Sequence, residues 1–107
     1  MSTTILQATQ EIDELLPLLD RAYWEANNID HKDTIYNVIW LLTQEVVELH
    51  KVSVQDGHYR YEPVTETIRN VLPQMRYLAE NLSEICRRTN THRSLTPALH
   101  SAITLFD

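Results

Sequence analysis

A chain of 107 residues has the length of one domain, expected to span residues 1–107, with room for a real core. Its single glycine excludes a turn-rich or sheet-rich architecture and leaves a few long helices with short connections. Up to Lys51, nine acidic residues face Arg21, Lys32 and Lys51, whereas six acidic residues balance six arginines from Val52 onward; an acidic first half repels phosphate and disfavours nucleic acid as a partner.

The N-terminal "MSTTILQATQEIDE" has neither a basic start nor an apolar run, so it does not read as a signal peptide. From roughly Thr4 to Asn27, the residues Ile5, Ala8, Ile12, Leu15, Leu16, Leu19, Tyr23 and Ala26 recur at the helical period. Pro17 interrupts this first helix by removing a bond to the Asp13 carbonyl, which predicts a kink or a fresh start near Asp13. Glu11, Glu14 and Glu25 fall on its outer face and are placed in solvent.

"NNIDHKD" reads as a connection, with Asp30 or Asp33 available to cap a second helix from about Lys32 to Val54. Ile35, Val38, Ile39, Leu42, Val46 and Leu49 form its main stripe. Tyr36, Trp40, Val47 and Val54 form a separate apolar strip around the axis, wider than a surface helix needs. Either a second chain covers this strip, as in a closed homodimer or a complex with another protein, or the first and third helices straddle the second one.

"QDGHYRYEP" makes the next turn and leads, through Pro63, into a third helix to about Arg88. Its apolar set is Val64, Ile68, Val71, Leu72, Met75, Leu78, Leu82 and Ile85, and Pro73 predicts a kink in its middle. Cys86 projects onto the same stripe as a buried, inert thiol. "RRTNTHRSLTP" reads as a loop, and Pro97 opens a short last helix through Leu99, Ala102, Ile103 and Phe106. The expected fold is all-α: a bundle of three long antiparallel helices plus a short C-terminal helix. With no run of 18 apolar residues and one cysteine, the chain reads as cytoplasmic, with no membrane partner.

The densest candidate chemistry is "TQEVVELHK". Glu45 and Glu48 stand one turn apart and offer hard oxygen ligands of the kind Mg²⁺ takes. The stretch resembles the metal-binding helix of the MazG-like all-α nucleoside triphosphate pyrophosphohydrolases, in which a Glu-Glu-x-x-Glu helix meets a Glu-x-x-Asp motif. The matching positions are Gln44, Glu45 and Glu48, then Glu66 and Arg69, with glutamine for the leading glutamate and arginine for the aspartate. The resemblance implies Mg²⁺-assisted attack of water on a triphosphate.

Read from the residues alone, the pair is a solvated helix edge, with Glu48 positioned to meet Lys51 at i+3. On that reading no catalytic residue, cofactor or metal is assigned, and Glu66 faces water. His50 projects onto the apolar side of the second helix as a core or interface histidine. Arg87 to His92 has the Arg-x4-His spacing that resembles the ribonuclease motif of HEPN domains, and Arg93 to His100 is a looser match. The plainer account of Arg87, Arg88, His92 and Arg93 is a set of bases at a helix C-terminus, where the macrodipole favours them. The leading expectation is a small accessory or regulatory protein that works through protein–protein contact at Tyr36, Trp40, Val47 and Val54.

Overall fold

The computed structural model describes residues 3–86 and 88–107. Of these, 78% are helical and none forms a β-strand. The fold is all-α and compact, with a radius of gyration of 13.6 Å.

Helix α1, Ile5–Glu25, begins at a capping box. The Thr4 hydroxyl accepts from the Gln7 N–H at 3.1 Å, and the Gln7 side chain accepts from the Thr4 N–H at 3.0 Å. Two more of its leading N–H groups find distant acceptors: Ile5 donates to the Tyr59 carbonyl at 2.8 Å and Leu6 to that of Gly57 at 2.9 Å. The segment around Gly57 thus closes the start of α1. Pro17 lies inside α1, which stays one element without a new start near Asp13. Ala8, Ile12, Leu15 and Leu19 are fully buried along it.

Helix α2, Ile29–His50, starts earlier than its apolar pattern predicts. Asn28 is the cap, its side chain accepting from the Asp30 N–H at 2.7 Å, so neither Asp30 nor Asp33 is needed. The end of α1 meets the start of α2, where Lys32 Nζ donates to the Tyr23 carbonyl at 2.6 Å. At the other end Asp13 of α1 lies 2.9 Å from His50.

α2 also ends earlier than predicted, at His50. Lys51 is its C-cap, and the Ser53 hydroxyl accepts from the Asp56 N–H at 3.3 Å to cap a 3₁₀ turn at Val54–Asp56. A serine that satisfies a following turn competes with helix continuation. Val54 therefore stands past α2 and is 98% exposed.

The largest correction concerns residues 63–88, which are not one long helix. A 3₁₀ turn, Ile68–Asn70, leads into α3, Val71–Glu80, and then the four residues of α4, Leu82–Ile85. Pro73 falls in the first turn of α3, where its missing N–H has no intrahelical acceptor to lose, so no mid-helix kink arises. α3 stops where the Asn81 side chain donates to the Tyr77 carbonyl at 2.8 Å. Ile68, Val71, Met75, Leu78, Leu82 and Ile85 are buried as their period requires, but Val64 is 53% exposed.

The last helix, α5, is longer than predicted, Thr89–Phe106. Pro97 sits inside it and does not open it. The Thr96 hydroxyl donates to the His92 carbonyl at 2.7 Å, a local bond made within one turn of the proline. The start of α5 is held by α1: the Glu25 carboxylate accepts from the Arg88 N–H at 3.0 Å and from the Thr91 hydroxyl. Glu25 is thus a tie between helices and not part of a solvated outer face. The core lies where α1 packs against α2 and α5, with α3 against α2 and α5.

Candidate functional site

The two glutamates of "TQEVVELHK" have opposite fates. Glu48 is half exposed and pairs with Lys51 at 3.0 Å. Glu45 is fully buried, which corrects its reading as a solvated edge. Three donors converge on its carboxylate: the Tyr61 hydroxyl, the Val64 N–H at 3.0 Å and the Thr65 N–H at 2.8 Å. A buried carboxylate is tolerated only when its oxygens are met in this way. Glu45 ties α2 to the segment that precedes α3, and the captured N–H groups are two that the predicted third helix would have left orphaned in its first turn.

Tyr61 is itself buried, with its ring 6.2 Å from that of Phe106. Burial, followed by its bond to Glu45, pushes the Tyr61 hydroxyl well above the ordinary tyrosine range. Tyr61 N–H donates to the Thr3 carbonyl at 2.7 Å. The segment between α2 and α3 is thus fastened at both ends, to the start of α1 and to Glu45.

Glu66 and Arg69, the counterparts of a second metal-binding motif, are both exposed. Among the described residues no three His, Cys, Asp or Glu side chains are grouped closely enough to hold a metal ion. His50 is exposed and bonded to Asp13, so it is not a core histidine. The buried histidine is His31, in the first turn of α2, its ring 5.8 Å from that of Tyr77.

Cys86 is buried as its stripe predicts, and burial, with the Glu25 charge second, pushes its thiol up to about 11. Arg87, and with it the Arg87–His92 pair, lies outside the described residues. Arg88, His92 and Arg93 stand at the start of α5 and not at a helix C-terminus. The macrodipole opposes basic groups there, and the Glu25 carboxylate supplies the compensating charge. Arg93 and His100 are exposed.

The outer strip of α2 remains open. Tyr36 is 62% exposed, Trp40 51% and Val47 49%, so α1 and α3 do not straddle the helix to cover it. Ile29, which the sequence reading did not include, is 67% exposed; it lies seven residues before Tyr36 and so on the same side. The opposite side of α2 buries His31, Ile35, Val38, Leu42, Glu45 and Leu49.

Tyr61 and Glu25 are the polar groups that the sequence reading missed. Glu45 carried a signal: it lies one turn beyond Leu41 and Leu42, both buried, and so inside the buried arc. No comparable signal exists for Glu25, whose partners are some 63 and 66 residues away. Among the described residues no helix is long and apolar enough to cross a membrane. No family model, curated protein or solved structure matches the chain.

Proposed function

We propose that this protein is a small cytoplasmic accessory or regulatory protein, an antiparallel helical bundle that acts through protein–protein contact at the outer face of α2. The observation that carries the reading is the open strip of Tyr36, Trp40 and Val47 on a helix whose other side is fully committed to the core. Leaving a large aromatic half in water forgoes on the order of 1 kcal/mol of burial, and aromatics of this kind anchor interfaces. The carboxylates offer no competing site, since Glu45 is occupied by donors from its own chain.

A photo-crosslinking residue at position 40, compared with one at the exposed Gln10 of α1, tests the reading in cells that express the protein. Defined adducts at position 40, identified by mass spectrometry and absent at position 10, are expected. Equal, diffuse labelling at both positions overturns the assignment.

A further inference from the structure

Resting on that reading, we infer that the partner of the outer α2 face is a second copy of this chain, packed α2 on α2 with the two helices running in opposite directions. The uncovered residues recur with the spacing of a helix-pair seam. Asp33, Trp40 and Val47 step by seven, Tyr36 falls between Asp33 and Trp40, and Ile29 precedes Asp33 by four, so that from Ile29 to Trp40 the steps are four, three and four.

The charges on this face are arranged by position. Between Asp33 and Glu48 every exposed residue of α2 is uncharged: Tyr36, Asn37, Trp40, Gln44 and Val47. In a chain of net charge −6, that neutral stretch fits a contact made without burying unpaired charge. Two acidic residues, Asp30 and Asp33, mark one end of the face, and the Glu48–Lys51 ion pair, at 3.0 Å, marks the other.

Direction follows from those ends. A parallel pair sets Asp30 and Asp33 against their own copies, four like charges at one end, and the Glu48–Lys51 pair against its own copy. An opposite pair with its twofold axis near residue 42 sets Tyr36 against Val47, Asn37 against Gln44, and Asp30 and Asp33 near the Glu48–Lys51 pair of the other copy, which keeps the two aspartate ends apart and gives each of them Lys51 as a neighbour. It also brings the exposed Val54, just past α2, toward the exposed Ile29 of the second copy. Such a contact is isologous and closes on itself.

The area is sufficient. Ile29, Tyr36, Trp40 and Val47 expose on the order of 500 Å² per copy, at the upper end of what one soluble chain leaves bare and over half of a standard interface side of about 800 Å². The flanking amides and charges supply the rim.

Light scattering on the purified chain at tens of micromolar, with charge-swap variants, tests the inference. A mass twice the 12.5 kDa of one chain is expected. Trp40→Glu yields a folded monomer by circular dichroism, because half of the side chain it replaces already stands in solvent. Lys51→Glu weakens the dimer by about tenfold or more, and adding Asp30→Lys to it restores association. A wild-type monomer overturns the second copy as partner, while partner adducts at position 40 would still uphold the contact reading. A dimer indifferent to Trp40→Glu overturns the face, and failure of the double swap to restore association overturns the direction.

Discussion

The inner and outer faces of α2 invert the usual placement of polar and apolar groups. The inner face buries a carboxylate, Glu45, and an imidazole, His31, whereas the outer face exposes Ile29, Tyr36, Trp40 and Val47. The inversion has a different cause on each side. Glu45 is inside because the segment before α3 brings it three donors. The aromatics are outside because no element among the described residues covers them. A buried polar group thus marks a tie within the fold, and the exposed apolar row is the surface proposed for contact beyond it.

The strongest way to break the comparison is on the inner face. Glu45→Ala leaves the Tyr61 hydroxyl and the Val64 and Thr65 N–H groups without their acceptor, which costs about 3–5 kcal/mol. Urea unfolding should show that loss, a large part of the 5–15 kcal/mol that holds a domain of ordinary stability. Glu45→Gln keeps a carbonyl acceptor but turns an amide N–H₂ toward a donor, and should cost about 1–2 kcal/mol. If Glu45→Ala shifted the midpoint no more than a surface substitution, Glu45 would not be the tie described.

A smaller effect comes from pH. Cys86 and Tyr61 are both held above their ordinary values in the folded chain. On raising the pH the unfolded chain releases these protons first, so the folded state then binds more protons and stability falls. For Cys86 the stabilising difference is complete below about 9 and lost as the pH rises through about 11. Unfolding midpoints measured across that window should fall, and Cys86→Ala should flatten the decline. Tyr61→Phe at neutral pH removes one bond to Glu45 and should cost about 1 kcal/mol.

The outer face should behave in the opposite way. Trp40→Gln and Tyr36→Gln remove side chains that are half exposed or more and should change the stability of the monomer by no more than about 0.5 kcal/mol. Unfolding of the dilute, dissociated protein gives that value free of any contribution from association. A loss of 2 kcal/mol or more would mean that these side chains pack within the chain and that the two faces differ less than their exposures indicate.

How much of this was legible in the sequence depended on distance along the chain. Local signals served well: the 3.6 period placed α1, most of α2 and the core of α3, and the separate strip at Tyr36, Trp40 and Val47 does stand apart from the buried stripe. Cys86 went to the core as its position on that stripe requires. The failures share a cause in long-range bonds. Residues 63–67 carry a helical pattern, yet Glu45 holds the N–H groups of Val64 and Thr65 from 19 and 20 residues away. The start of α5 depends on Glu25 at a still greater separation. Thr89–Thr96 reads as a polar loop because nothing nearby shows that α1 caps it. Glu45 reads as a wet edge for a narrower reason, since its acidity outweighs its place one turn beyond the buried Leu41 and Leu42.

The smallest expected effect is the response to Mg²⁺. A pair of carboxylates at i and i+3 suggests a cation site only if both are free to turn toward it. Both oxygens of Glu45 already accept bonds from its own chain, and Glu48 is drawn to Lys51 at 3.0 Å. Recruiting Glu45 would release Tyr61, Val64 and Thr65, so a cation would have to offset the loss estimated for Glu45→Ala before binding at all. Glu48 alone offers the single carboxylate of an ordinary protein surface. Isothermal calorimetry should therefore detect no Mg²⁺ or Mn²⁺ binding tighter than about millimolar. Micromolar binding that disappears in Glu45→Gln, or pyrophosphate release from a nucleoside triphosphate that does so, would show that the inner face opens, and would make Glu45 a ligand instead of a tie.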